Sequence, residues 1–249
     1  MTSSFGGNMI SIHLWILFSF VIFKLFVADV YLSEMNQYSI YFVFLYSVLF
    51  LIYLFSFNIS LTTNDAVCGS SNTYIAGMAT LIPYIFVYGL GMSLILLFKG
   101  WLRSFSNTFG LSVIRLCGYS SFIQERINQN DAPTSTNKDT YQTIQMIYNN
   151  PDVYINELYI NDVSDTEFIQ MIEKMDKNVQ KEPGAIKEYK KYINMKETVG
   201  TYIWVAIFSV LTILTSQNTL LAQNCTTTLG DQTDFNTYLM SQLSEQSTT

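Results

Sequence analysis

The chain has 249 residues, of which 49% are hydrophobic, 15% aromatic and only 13% charged. Soluble domains carry about 25% charged residues, so this composition, with a mean hydropathy of +0.24, indicates an integral membrane protein. Three cysteines are too few for a disulfide-stabilised secreted scaffold. The net charge of −6 argues against nucleic acid as a partner.

Four stretches are long and apolar enough to cross a hydrocarbon core of about 30 Å. They cover roughly residues 9–32, 38–61, 74–98 and 198–221. We expect the first stretch to be a retained helix, because it lacks the basic start and the cleavage site of a signal peptide. The predicted fold is therefore mainly α, with four transmembrane helices and a small helical water-exposed domain between the third and fourth.

Two charged residues, Lys24 and Asp29, fall inside the first predicted span. Ionisable groups within a membrane are often functional, but we expect these two to have structural roles close to the helix end. An ion pathway is the alternative, although the other spans offer no acid as a partner for Lys24. In the third span, Gly77, Ala79 and Gly91 favour close helix packing, and Pro83 predicts a kink.

The basic residues predict the orientation of the chain. Twelve of the 13 Lys and Arg residues lie between Lys99 and Lys196, and basic residues concentrate on the cytoplasmic side of membrane proteins. We therefore expect the 99–197 region to face the cytoplasm. Both termini, including the polar tail 222–249, and the 62–73 connection then face the opposite side.

Two cysteines and one glycosylation triplet fall on that opposite side. Cys68 and Cys225 would form a disulfide there if they meet, since that compartment is oxidising; two separate thiols are the alternative. Asn224 opens the triplet Asn-Cys-Thr and is a candidate for glycosylation. The triplet at Asn58 lies too near the membrane to be used.

The segment 99–118, which follows the third span, combines aromatic and basic residues. Tryptophan beside basic residues is typical of a segment at headgroup depth, so we predict an interfacial amphipathic segment. We expect Asn107 and Thr108 to cap a short helix that ends near Gly118. The segment is either a connector or a docking element, and its candidate contact residues are Trp101, Arg103, Phe105, Asn107, Phe109 and Arg115.

The region 119–197 is predicted to be a small helical domain. Ser164 and Glu167 form a capping box before a helix whose apolar face includes Phe168 and Ile172. Tyr189 and Ile193 mark a last helix that leads to the fourth span. Because a domain of this size buries little core of its own, we expect it to pack on the membrane helices, a second copy or another protein.

Nothing in the sequence indicates catalysis, a cofactor or a metal site. His13 is the only histidine. This excludes metal sites built from several histidines, and it excludes Ser–His or Cys–His dyads with several possible histidine partners. Phosphate-binding loops, nucleophile elbows and C-x-x-C motifs do not occur. We therefore expect a protein that is not an enzyme, and we expect His13 to lie at the membrane interface.

The stretch GWLRSFSNTFG, directly after a proline-containing apolar helix, resembles uncharacterised virion membrane proteins of the nucleocytoplasmic large DNA viruses. The resemblance covers about residues 74–118, and Ser104 stands where the family pattern has proline. It implies a component of the internal virion membrane that lies beneath an icosahedral capsid and touches minor capsid proteins.

The leading hypothesis is a non-enzymatic structural membrane protein that links a lipid bilayer to a protein assembly, namely the virion inner membrane to the capsid. The alternative is an accessory subunit of a cellular membrane complex, such as the respiratory chain or ATP synthase. A channel or transporter comes third, because a pore needs polar residues from several helices and we expect the spans to lack them. The expected partners are lipid, other membrane or capsid proteins and a second copy, in a virion inner membrane or host endomembrane.

Overall fold

The computed structural model describes residues 2–28, 38–64, 67–126, 150–158, 165–175 and 184–222. Among these residues 91% are helical and none lies in a strand. Four stretches are long and apolar enough to cross a membrane, namely Asn8–Val27, Tyr41–Thr62, Thr73–Leu97 and Ala185–Ala222. The predicted fold class is confirmed, and the chain is a multi-pass integral membrane protein.

The first three spans are formed by four helices. Helix α1 covers Thr2–Phe23 and runs into a π-helical turn, Lys24–Ala28. Helix α2 covers Tyr38–Thr62. Helix α3 covers Thr73–Pro83 and continues through a π-helical turn, Tyr84–Gly89, into α4, Leu90–Leu97.

Local chemistry explains the bounds of α3. The side chain of Asn72 caps its start by accepting a hydrogen bond from the Ile75 amide at 3.1 Å. Pro83 ends it, because proline has no amide hydrogen and its ring clashes with the carbonyl one turn earlier. The helix therefore widens into the π-helical turn at the position where the sequence predicts a kink.

Six further helices follow within the described residues. They are α5 (Lys99–Phe105), which passes through a π-helical turn (Ser106–Gly110) into α6 (Leu111–Leu116), then α7 (Tyr119–Arg126), α8 (Pro151–Glu157), α9 (Asp165–Met175) and α10 (Ala185–Ala222). The helix predicted after the capping box is present as α9, and Phe168 and Ile172 are buried as its apolar pattern requires.

The last predicted helix of the domain and the fourth span are one helix. Helix α10 has 38 residues, which at 1.5 Å per residue is about 57 Å. Proline is absent from this stretch, and Gly184, with φ +104°, precedes it. The sequence analysis described the last domain helix and the fourth span, 198–221, as two elements, and the structure joins them, because the change from charged to apolar residues changes the helix surface without interrupting its backbone.

The predicted cap at Asn107 and Thr108 is also wrong. Helical backbone runs through both residues, and the Thr108 hydroxyl donates to the Ser104 carbonyl at 2.8 Å, one turn earlier. The predicted end of this segment is confirmed. Gly118 follows α6 with φ +93°, a left-handed conformation that glycine adopts without strain.

The chain divides into two compact units. Unit 1 comprises Met1–His13, Phe42–Ser93 and Ile207–Thr249, and unit 2 comprises Leu14–Tyr41 and Leu94–Ala206. The core of unit 2 joins Leu25 to apolar residues of α6–α10, including Ile114, Ile123, Ile155 and Phe168. The small domain thus packs on residues following α1, as one of the sequence expectations allowed. Asp29, Ser164, Asn224, Cys225 and the 127–149 stretch lie outside the described residues.

Candidate functional site

Within unit 2, the segment α5–α6 runs antiparallel along the first part of α10. The rings of Trp101 and Trp204 stack with centroids 6.2 Å apart. Further along, Ser106 lies against Gly200, and Gly110 lies against Lys196. Residue numbers increase along α5–α6 while those of the contacting residues on α10 decrease, so the two segments are antiparallel.

Two glycines allow the backbones to approach closely at this crossing. A β-carbon added at Gly200 would lie 2.7 Å from the Ser106 nitrogen and 2.9 Å from its α-carbon. A β-carbon added at Gly110 would clash with the Lys196 carbonyl group. Because both obstacles are backbone atoms, neither position leaves room for a side chain. Small residues at a helix crossing are typical of close packing in membranes.

Lys196 connects three parts of unit 2 at the same place. Its side chain is buried, and Nζ donates to Asn107 Oδ1 at 3.0 Å and to the Ile155 carbonyl at 2.8 Å. A third acceptor, Asn156 Oδ1, lies 3.5 Å away. A buried ammonium group is stable only when it is paired or hydrogen-bonded. Lys196 therefore holds the π-helical turn and α8 against α10.

We call Ser106, Asn107, Gly110, Lys196 and Gly200 the junction. Three of these residues belong to the FSNTFG stretch, which the sequence analysis assigned to the membrane interface. In the structure these three residues contact α10 and fix the position of the helical domain on it. Sequence reasoning placed Asn107 among the candidate contact residues but missed Lys196 and Gly200, because their partners are distant in sequence.

The aromatic residues of the predicted contact set lie beside the junction. Trp204 donates from Nε1 to the Trp101 carbonyl at 3.1 Å, and the Phe105 ring packs 4.8 Å from the Trp204 ring. Phe109 is 6.0 Å from Phe105 and is exposed. Trp101, Phe105 and Phe109 therefore form one aromatic row along the segment, joined by Trp204 of α10.

The two arginines of the set occupy different surroundings. Arg115 forms an ion pair with Asp152 at the start of α8, with Nε donating to Oδ1 at 3.0 Å. Arg103 lies on α5, two residues beyond Trp101, and is half-buried. The structure therefore separates Arg115, which ties α6 to α8, from the group around the tryptophans.

Lys24 is buried in unit 2. Its ammonium group donates to Thr198 Oγ1 at 2.7 Å, and its neighbour Leu25 belongs to the core of the helical domain. The residue therefore joins the end of the first span to α10 and to the small domain. Asp29, the other charged residue of the predicted span, lies outside the described residues.

His13 is buried in unit 1. The sequence analysis had expected it at the membrane interface. Its Nε2 lies 2.7 Å from Ser209 Oγ and 3.0 Å from the Tyr46 hydroxyl. The Phe50 ring packs 4.8 Å from the imidazole. A polar group within apolar helices is stable when its hydrogen bonds are made by facing helices, and here α2 and α10 supply them.

Asn58 makes a second polar contact in unit 1. It is fully buried, and its Nδ2 donates to Thr80 Oγ1 and to Ser216 Oγ, both at 2.8 Å. Its Oδ1 has no hydrogen-bond partner among the described residues. Burial explains why this triplet is unsuited to glycosylation. The expectation that several spans lack polar residues is wrong, since α1, α2, α3 and α10 all contribute.

The cysteines differ in state. Cys68 is disulfide-bonded, whereas Cys117 is a free, exposed thiol. The bond from Cys68 to Cys225 stays a prediction, because Cys225 lies outside the described residues. Within the described part of the chain, no three His, Cys, Asp or Glu residues are grouped as a metal site.

Comparisons with known proteins do not assign the chain to a family. No family model, curated protein or solved structure matches the chain.

Proposed function

We propose that the chain is a non-enzymatic structural protein that links a lipid bilayer to a protein assembly, as the virion inner membrane is linked to the capsid. The observation that carries the proposal is the continuity of α10. One helix of about 57 Å exceeds the hydrocarbon thickness of about 30 Å, so it can belong to a span and to the helical domain together. The part of this helix up to Ala206 belongs to the same compact unit as the helical domain.

The junction supports the same role. Close backbone contacts at two glycines and the three acceptors of Lys196 hold α5–α6 and α8 on α10. These contacts fix the helical domain on the part of α10 that belongs to the same unit. A protein that positions an assembly on a bilayer needs such a fixed domain, whereas a flexible tether would not position it.

The first test is crosslinking mass spectrometry on the native membrane or particle. Lys187 and Lys191 are exposed on α10 within the helical domain, so an amine-reactive crosslinker reaches them. We expect crosslinks from these lysines to capsid proteins, with Lys99 as a control that reports contacts on α5. Crosslinks only to respiratory-chain, ATP-synthase or other cellular membrane subunits would replace this proposal by the accessory-subunit alternative.

Transport is a second candidate, favoured by the polar contacts of unit 1. Polar side chains of three helices meet at His13 and again at Asn58, and an intramembrane ionisable residue such as His13 is a functional candidate by default. Transport predicts ligand-dependent flux in liposomes that the variants His13→Phe and Lys24→Met abolish. Our structural proposal predicts no flux with either the natural sequence or the variants.

A further inference from the structure

One side of the segment formed by α5, the π-helical turn and the start of α6 is uncharged and open. Its residues follow one another at intervals of one, three or four, as residues on one side of a helix do. We call this side the outer face; it comprises Trp101, Ser104, Phe105, Thr108, Phe109 and Ser112. Trp101 is 49% exposed and Phe109 56% exposed, although both are large apolar residues. Lys99 and Arg103, two residues to either side of Trp101, lie on the opposite side of α5.

The hydroxyl groups of the outer face are bonded to the backbone of their own helix. Thr108 donates to the Ser104 carbonyl at 2.8 Å, and Ser112 donates to the Thr108 carbonyl at 3.1 Å. The Ser104 hydroxyl lies 3.5 Å from the Gly100 carbonyl. Polar groups are costly in an apolar medium only when they lack such partners. The outer face is therefore compatible with lipid.

Nearby in unit 2, lysines are buried and phenylalanines are exposed. Lys24 and Lys196 are 1% and 2% exposed, and both donate hydrogen bonds within unit 2. Phe23 and Phe26, which lie on either side of Lys24 in the sequence, are 51% and 52% exposed. A domain surrounded by water has its lysines outside. Charged side chains that face the interior, with apolar residues outside, are typical of a segment within a membrane.

Helix α1 and the first part of α10 are antiparallel neighbours in unit 2. The rings of Phe20 and Tyr202 have centroids 6.0 Å apart. Four residues further along α1, and four residues earlier on α10, Lys24 donates to Thr198. These two contacts define the register of the two helices.

This register gives the depth of the outer face. It places Phe26 level with Lys196, and Gly110 also lies against Lys196. Phe109, the neighbour of Gly110, is therefore at about the level of Phe26. Because Phe26 is an exposed residue of the span Asn8–Val27, this is a depth at which the chain contacts lipid.

We propose that the outer face binds the acyl chains of the leaflet next to the helical domain, so that lipid covers α5 and the π-helical turn on this side. The occupant is lipid because the outer face continues the exposed apolar surface of the first span at the same depth. A second copy or an assembly protein would be the occupant of a face that lies beyond the bilayer. The inference does not depend on the proposed linking role, since it concerns only contacts with the bilayer.

Spin labelling of the full chain in phosphatidylcholine vesicles tests the proposal. Ser104→Cys or Thr108→Cys introduces the labelling site, and Cys117→Ser removes the exposed free thiol. The signal of the chain with Cys117→Ser alone is subtracted. Oxygen dissolves in acyl chains, whereas a Ni(II) chelate stays in water, so the ratio of their collision rates with the label reports its surroundings.

Ser121→Cys is the matched control, because it makes the same substitution at an exposed position of α7. Helix α7 packs through Phe122 on Tyr189, with ring centroids 5.0 Å apart, and Tyr189 lies on the part of α10 that precedes Lys196. We expect the ratio of oxygen to chelate collisions at Ser104 and Thr108 to exceed that at Ser121 several-fold.

Two results would overturn the proposal. A ratio at the two outer-face positions as low as that of the control would show that water covers this face. Labels that neither oxygen nor the chelate reaches would show that a protein covers it. If the cysteine variants do not fold, labelling of the natural chain with a lipid-soluble diazirine decides instead: peptides that cover 101–112 must be labelled, and those that cover 119–126 must not.

Discussion

The crossing of α10 and the π-helical turn makes a quantitative prediction for Gly200→Ala. The added β-carbon would lie 2.7 Å from the Ser106 nitrogen, so one backbone must move. Overpacking of this kind costs about 1–3 kcal/mol, while alanine regains up to about 1 kcal/mol of helix propensity. Gly100→Ala is the matched control, because nothing lies within 4 Å of its added β-carbon. Both glycines lie in helices, so the propensity gain has the same sign in both variants and their difference reports mainly the steric cost.

Thermal unfolding in nanodiscs, followed by tryptophan fluorescence, measures this difference. Trp101 and Trp204 lie beside the crossing and report its opening. For a chain of this size, 1 kcal/mol corresponds to about 2–4 °C, so Gly200→Ala should melt about 2–12 °C below Gly100→Ala. Equal melting temperatures would show that the backbones are not in close contact at the junction.

Three further predictions concern the buried polar residues and the cysteines. Lys196→Met removes the donor to Asn107 Oδ1 and to the Ile155 carbonyl and should lower the free energy of unfolding by about 1–3 kcal/mol, measured by denaturant titration. The exposed Lys187→Met should change it by less than about 0.5 kcal/mol, and similar losses would refute the assignment. Asn58→Leu removes two interhelical hydrogen bonds and should lower the free energy of unfolding by about 1–2 kcal/mol in the same titration. An unchanged free energy of unfolding would contradict this prediction. Maleimide should label Cys117 without reductant and Cys68 only after reduction, as peptide mapping will show; labelling of Cys68 without reductant would contradict its bonded state.

The four spans could be predicted from the sequence because each is a long apolar run, and bilayer thickness alone fixes the length that is required. The end of α6 could also be predicted, since Gly118 has a local conformational cause. The continuity of α10 could not, because a change in surface chemistry at residue 198 resembles a domain boundary. Nothing in the local sequence marks that boundary as uninterrupted helix.

The junction was only partly predictable. Asn107 was singled out for its place in an unusual aromatic stretch, yet its partner Lys196 lies 89 residues later. The polar contacts of His13 and Asn58 were missed for the same reason. One usable signal was present, since Ser209, Thr212 and Ser216 recur every three or four residues on α10 and therefore share one buried face.

The linking role requires the helical domain to face the cytoplasm while the tail faces the opposite side. Glycosylation mapping in microsomes tests this most directly. Asp139→Thr completes a triplet that starts at Asn137, and Tyr238→Thr completes one that starts at Asn236. We predict that the chain acquires a glycan at Asn236 and none at Asn137. A glycan at Asn137 and none at Asn236 would contradict the account.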